Sequence, residues 1–529
     1  MKNMKKATYI VAITLVIAGL MITSGISIPT TNVEQTTDDC IATTAMFKTI
    51  SKARPEQNMI HRGDSVIIFD TETDDFHPAV AGNAQGRFFT CFEANLNGDY
   101  YPWFLYSIDG STWEEAGYFA ESLGGSYPDI DSNQNGFYAT FAPPSGSSGE
   151  IWVVGGSDPS QPDGMVWDFG PHGIEDFRFN TIASYTRQGE DWNFGCVALT
   201  GYNNYQGANV PGTPFILYPY SSDGGIISWL QAGGFVHSDV ALDEVTQMCY
   251  AVYDHETTFK LKVRKSNFGT WQNQGSYQVH PSVWSKDIGD GTTHLQNMSI
   301  EAYNNSVLVV AESDGDIICL YSTNGGTSFS QSTVVTGAQY PDIILTPDGN
   351  FVCSYVKENV LYTKITSDSG ATWEDETKVA DNEIQAEYRA SNLGKGQTNV
   401  YAVWQDNRAE DLDIYFAAAG PEIEIPILDV VIQKGMGIGA KATVTNVGTG
   451  PATNVAWSIK VTGGILGRIN KEVTGTVATM GISENAVMNT GMILGLGAIS
   501  VVASAACTEG ANDQATASGT QILFLTKVN

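Results

Sequence analysis

Tyr127, Asp129, Tyr340 and Asp342 belong to two copies of one tetrapeptide, Tyr-Pro-Asp-Ile, at 127–130 and 340–343. His77 in "FHPAV" and Asp239 in "HSDVA" hold matching places in looser copies, and Arg389 stands in a further related stretch, "YRASN". Recurrent carboxylates suit work on a glycosidic bond, where one acid protonates the leaving oxygen and a second attacks or activates water. The same residues would equally suit a repeated strand start, where they serve geometry. Other chemistries find less support. "YDHETTF" (253–259) has His-Glu without the second His of a zinc protease, and the seven histidines show no ligand spacing. No nucleophile elbow or phosphate loop occurs. Acidic turns at 312–317 and 406–413 could take a structural Ca²⁺ or simply be solvated loops.

A second set of candidate groups, Asp368, Gly370, Thr372 and Trp373, lies in "TSDSGATW" at 366–373. It too recurs. "STNGGTSF" (322–329) matches it position for position, with Asn324, Gly326 and Phe329 for Asp368, Gly370 and Trp373. "SIDGSTW" (Asp109, Gly110, Trp113) is one residue shorter, "SSDGGIISW" (Asp223, Gly225, Trp229) one longer, and "KSNFGTW" (265–271) is degenerate. Recurrence with tolerated substitutes points to a fastener: the acid accepts amide bonds of its own turn, the glycine supplies a positive φ, and the aromatic packs between strands.

Elements that repeat in this way must be β-meanders. The best-preserved unit reads as four strands, "PDIIL", "NFVCSYV", "VLYTKIT" and "TWEDETKVA", rich in β-branched and aromatic residues and bounded by Gly, Pro, Asp and Asn. Inner strands start near 77, 128, 193, 238, 298, 341 and 387. The spacing predicts an all-β, seven-bladed (alternatively six-bladed) β-propeller of four-stranded antiparallel blades over 61–420. The last unit runs out after three strands, and "DSVIIFD" (64–70) is placed to supply its outer strand and close the ring. Past Gly420 the texture changes to Val, Thr, Ala and Gly with few aromatics, so 421–529 is expected to be an immunoglobulin-like β-sandwich.

Asp and Glu number 58 against 27 Lys and Arg, a formal charge of −31 that disfavours nucleic acid and anionic lipid as partners. Residues 1–27 carry Lys2, Lys5 and Lys6 before an apolar run and resemble a signal peptide, and 28–60 read as a disordered linker. An exported or cell-surface protein without a membrane span after cleavage is expected. Cys91, Cys249 and Cys353 sit in strand-like runs and read as small buried residues, with one or two disulfides as the alternative. Asn297 and Asn304 satisfy the N-glycosylation rule.

The Ser/Thr-x-Asp-x-Gly-x-Thr-Trp turn resembles the Asp-box, or bacterial neuraminidase repeat, of sialidase-like propellers. The C-terminal stretch resembles CARDB-like adhesion modules. The first resemblance implies that the turns mark the face opposite the ligand site. The search then moves to the inner-strand starts (His77, Tyr127, Asp129, Asp239, Tyr340, Asp342, Arg389) and to the loops at 93–103, 142–150, 200–213 and 405–413. A sialidase would further need three arginines around a substrate carboxylate, for which Arg87, Arg178 and Arg389 are the candidates. The family's Arg-Ile-Pro signature is missing. The favoured expectation is therefore a non-catalytic recognition or surface-architecture protein, whose partner is an extracellular glycan or surface protein and which needs no cofactor. A sialidase-like glycosidase is the alternative.

Overall fold

The computed structural model describes residues 65–70, 73–83, 86–96, 99–118, 126–133, 136–142, 150–156, 163–168, 174–178, 180–185, 196–199, 202–205, 215–218, 225–228, 237–254, 261–267, 284–379, 383–396, 399–408, 411–420 and 426–529. The signal and linker segments, Cys40 and Asp223 lie outside them. Among the described residues no helix is long and apolar enough to cross a membrane.

Among the described residues, seven four-stranded antiparallel sheets follow one another. Their inner strands are Phe76–Gly82, Ser126–Asn133, Thr181–Ser184, Ser238–Asp243, Leu295–Tyr303, Gln339–Leu345 and Ser391–Lys395. Each lies beside the next, and the seventh beside the first, so the ring is closed around a central channel. The second strands explain why the blades stack. Ser306–Ser313 and Phe351–Lys357 are buried at almost every position, because blades cover both of their faces and hydrophobic runs replace alternation. Apolar cores therefore lie between blades: Phe89, Phe104, Phe137 and Phe141 join the first to the second, and Leu308, Cys319, Phe351 and Tyr355 the fifth to the sixth.

Ring closure follows the sequence expectation. Ser65–Phe69 pairs with Asp413–Ala418 as the outer strand of the seventh blade, in the register Val66 to Phe416. Phe69 packs its ring 4.7 Å from Phe92 and 5.6 Å from Trp103, locking the closing strand onto the first blade. The third blade departs from expectation. Its inner strand is the four-residue Thr181–Ser184, not a strand near 193, and Cys196–Leu199 is its second strand. Ile174–Arg178 and Tyr202–Tyr205 prolong the pairing of these two strands beyond the blade, Arg178 opposite Tyr202 following Thr181 opposite Leu199, and this extension obscures the repeat there. The outer strand expected from "TWEDETKVA" shrinks to Thr377–Lys378, since Glu376 turns to Tyr355 Oη (3.0 Å) and Lys357 Nζ (3.2 Å).

The C-terminal region is a two-sheet sandwich. Three strands (Leu428–Ile432, Lys441–Asn446, Asn485–Asn489) face six (Gly435–Gly437, Leu525–Val528, Asn512–Leu523, Gly495–Ala506, Ala452–Gly463, Ile469–Met480) across Val430, Val444, Met488, Val455, Ile459 and Val501. The "NVGTG" turn is held by buried Asn446, whose Nδ2 donates to Gly450 O (2.8 Å) and Met480 O (3.1 Å). Cys91, Cys249, Cys319, Cys353 and Cys507 are free thiols, the first four fully buried, which fits the packing reading.

Candidate functional site at the mouth of the propeller channel

The repeated turns join third to outer strands and are fasteners. In the sixth blade, Asp368 Oδ1 accepts the Thr372 N–H (2.8 Å) and Oδ2 the Thr372 hydroxyl (2.6 Å), while Thr366 Oγ1 accepts the Gly370 N–H (2.9 Å). Those bonds hold the Asp368 carboxyl below its ordinary range. Gly370 has φ 92°, and a Cβ there would lie 3.0 Å from Cys319 Sγ and Tyr321 Cβ of the fifth blade. Trp373 joins the same core and donates to Ser332 Oγ (3.2 Å). It thus fastens its turn to the preceding blade and does not start the outer strand. Asn324 and Asp109 repeat the scheme, accepting from Ser328 N (2.9 Å) and Thr112 N (2.8 Å). Gly326 and Gly110 sit at φ 77° and 75°. Phe329 packs against the core around Tyr250, and Trp113 lies 5.0 Å from Phe416. Gly225 opens the outer strand Gly225–Ser228, whereas Gly110, Gly326 and Gly370 precede theirs, and Trp229 lies outside the described residues.

The opposite end of the channel is built from the inner-strand starts. In four blades the strand carries a bulge there, with register slips at Phe76/Ala79, Ser126/Asp129, Gln296/Ser299 and Gln339/Asp342. His77, Tyr127, Asn297, Tyr340 and Arg389 occupy the left-handed region, with φ of 50°, 49°, 48°, 52° and 62°. Each such position costs about 1–3 kcal/mol, and three are offset by one device. His77 N donates to Gln405 Oε1 (2.9 Å), Tyr340 N to Glu312 Oε1 (2.6 Å) and Tyr127 N to Glu93. Every acceptor belongs to the second strand of the preceding blade.

These bulges gather rings at the mouth. The His77 ring lies 4.5 Å from that of Tyr127, and its Nδ1 is 3.0 Å from Glu93 Oε1. Arg389 donates to Tyr127 O (3.4 Å) and places Cζ 5.6 Å from the Tyr388 ring, which packs 4.1 Å from His237. His237 is in turn held by Asp254, 3.0 Å from Nδ1. Asp254, His237 and Tyr388 were not among the sequence candidates, and Glu93 and Glu312 entered only as the first residues of the 93–103 loop and the 312–317 turn. Their signal was available only as position: the acids end second strands, and Tyr388 adjoins Arg389.

Below the mouth, acids line a cavity of about 470 Å³. Asp129 accepts the Ile182 N–H (2.9 Å), Asp239 that of Ile300 (2.8 Å) and Asp342 that of Leu393 (2.7 Å), each from the next blade's inner strand. Their other oxygens take local amides, Val240 N for Asp239 (2.8 Å) and Ile343 N for Asp342 (2.9 Å). Asp131 and Glu301 repeat the pattern one step deeper with Ser184 N (2.6 Å) and Leu345 N (3.1 Å). Ser299 Oγ lies 2.9 Å from both Asp239 Oδ2 and Asp342 Oδ1. One hydroxyl carries one proton, so it can donate to only one of them; the second contact requires a proton on a carboxyl. Burial together with Asp129 and Asp342 pushes Asp239 up to about 8. Burial also raises Glu301 to about 7 and Asp131 to about 6, and lifts Asp129 and Asp342. Arg389 is the cation facing Asp129 and Asp239.

The structure therefore brings His77, Tyr127, Asp129, Asp239, Asp342 and Arg389 into one connected mouth, with Tyr340 on its rim bonded to Glu312. It does not bring Arg87 there. Arg87 lies in the turn after the first inner strand, where its carbonyl accepts the Asn83 N–H (3.0 Å), at the other end of the channel. The Arg178 backbone ends the strand Ile174–Arg178 opposite Tyr202, and its side chain is outside the described residues. A three-arginine clamp on one anion is thus not assembled from these positions. Asn297 is folded into an inner strand with its Ser299 bonded and buried, so its sequon is occluded, whereas Asn304 is exposed in a two-residue hairpin turn. Among the described residues no group of three or more His, Cys, Asp or Glu is arranged to hold a metal. In the two acidic turns, Glu312 is committed to Tyr340 N and Asp406 to Arg408 Nε (2.9 Å).

No family model matches the sequence, and no curated protein is similar to it. Solved structures distantly similar to the chain contain β-propellers. A prolyl endopeptidase aligns at 9% identity and a TM-score of 0.40 over 72% of this chain and 54% of its own, so the chain spans about half of that enzyme. The α-L-arabinanase of Penicillium chrysogenum aligns at 11% identity and 0.37, over 69% of this chain and 99% of its own. The NanB sialidase of Streptococcus pneumoniae aligns at 11% and 0.33, over 69% and 71%. At such identities the likeness concerns the fold alone, and the chain is a β-propeller protein with a C-terminal β-sandwich.

Proposed function

We propose that the protein is an exported, non-catalytic recognition or surface-architecture protein, whose propeller mouth and neighbouring loops bind an extracellular glycan or a surface protein. One observation carries this reading: Asp239 and Asp342 have both carboxyl oxygens committed to inner-strand amides, and Asp129 bonds the next blade in the same manner. Such acids tie blades together and leave no oriented pair open to a substrate. Arg389 is neutralised among them. The mouth's exposed edge is aromatic, with Tyr100 and the Phe76 ring 5.8 Å apart, as suits stacking on a sugar face. The likeness of the three fastening turns to Asp-boxes and of the sandwich to CARDB modules agrees with an exported scaffold.

A hydrolase is the second reading, favoured by Asp239 keeping a proton at neutral pH, as a general acid must. A glycan array read beside a panel of fluorogenic glycosides separates the two. Binding without turnover supports recognition. Turnover that is abolished by Asp342→Asn, in a variant with unchanged circular dichroism, would establish the hydrolase instead.

A further inference from the structure

Four loops gather at the end of the sandwich opposite the one where the chain enters at Leu428: residues 433–441, 463–469, 489–497 and 521–527. They carry Met436, Ile438, Ile465, Leu466, Met492, Leu494, Leu496, Ile522, Leu523 and Phe524, all between 45% and 84% exposed. A soluble monomer seldom exposes a contiguous apolar patch beyond a few hundred Å². Two of these side chains are presented at a conformational cost. Leu466 and Leu523 sit at φ 58° and 54°, in the left-handed region where turns ordinarily place Gly or Asn.

The charges at this end are equally unusual. The four loops contain Lys434, Lys441, Arg468 and Lys527, all exposed, and not one Asp or Glu, in a chain of formal charge −31. Of the sandwich's other acids, Asp429, Glu484, Glu509 and Asp513 lie toward the entry end, where Glu484 O receives the Asn446 N–H and Glu509 bonds Thr453, and Glu472, three residues beyond the 463–469 loop, is paired with Lys460 Nζ (3.0 Å). Screening over about 8 Å at physiological salt lets the local cations act independently of the acidic remainder.

We propose that this end of the sandwich is a membrane-docking tip, which seats its apolar loops in the interfacial zone of a bilayer with anionic headgroups and places its cations at the phosphate level. The apolar loops with a cationic rim match the two contributions that hold an interfacial protein, buried apolar area and attraction to anionic lipid. A second copy is a poor occupant, because two such ends would oppose like charges. The tip is independent of whether the propeller binds or cleaves its ligand.

The test is co-sedimentation of the full chain with phosphatidylcholine vesicles, with and without a third of phosphatidylglycerol. Wild type should pellet with the anionic vesicles and release at high salt. Leu466→Asp with Leu494→Asp should weaken binding about tenfold or more, and Arg468→Glu with Lys527→Glu should remove the preference for phosphatidylglycerol. All four side chains are exposed, so an unchanged melting temperature checks the fold. A Leu466→Trp variant should add a blue shift in its emission when anionic vesicles are present. The proposal fails if wild type stays in the supernatant with anionic vesicles. It also fails if the double Asp variant pellets like wild type, or if that variant instead dissolves a concentration-dependent dimer.

Discussion

Asp239→Asn should flatten the pH dependence of stability. In the folded protein this carboxyl titrates at about 8, against an ordinary value of 3.8. A raised acid keeps its proton in the folded chain at pH values where the unfolded chain has lost it. Stability is therefore greatest below the unfolded value and falls as pH rises toward 8, by about 1.4 kcal/mol per pH unit for each such group. Between pH 5 and pH 7 Asp239 alone accounts for a loss of about 2.7 kcal/mol. Glu301 (about 7) adds its share across that window, and Asp131 (about 6) in its lower half. Asparagine removes the titrating proton, but its NH2 replaces one of two accepting oxygens and so leaves the N–H of Val240 or of Ile300 without its acceptor, at a cost of about 1–3 kcal/mol that does not vary with pH. Urea unfolding followed by tryptophan fluorescence at pH 5, 6 and 7 gives the slope for both proteins. The variant should lose about one proton's worth of slope, whatever its absolute stability. An unchanged slope, or wild-type stability rising between pH 5 and pH 7, would refute the shared-proton bridge through Ser299.

The fasteners and the closure make further expectations. Asp368→Ala removes the Thr372 bonds from an exposed turn and should cost about 1 kcal/mol in urea unfolding. Gly370→Ala should cost about 3 kcal/mol, since it combines a positive φ with a Cβ pressed on Cys319 and Tyr321. Neither should change glycan-array binding, because both act at the far end of the channel. Phe69→Ala should cost about 2 kcal/mol and loosen the ring closure, seen as faster hydrogen exchange at Val66 and Ile67.

Much of the propeller was legible because its repeat is written twice over, in "YPDI" at the strand starts and in the Asp-Gly-aromatic turns. Where the repeat is irregular the expectation slipped: the third blade's first two strands continue past the blade at 174–178 and 202–205, and the inner strand lies at 181, not near 193. The site was less legible. Asp129, Asp239 and Asp342 stood out by type, but only the packed ring reveals that their oxygens serve neighbouring amides. Arg87 and Arg389 look alike in the sequence and end up at opposite ends of the channel.

The sequence by itself determined most of the strands, the fastening turns, a ring of seven or six units and the closing strand, since these depend on local periodicity, on glycine's access to positive φ and on recurrence along the chain. Tertiary structure alone decided which acids share a proton, which cation faces them and where Ile465, Leu466, Leu494 and Phe524 converge. Those properties arise between residues far apart in the chain, from burial and from the number of protons a single hydroxyl can give.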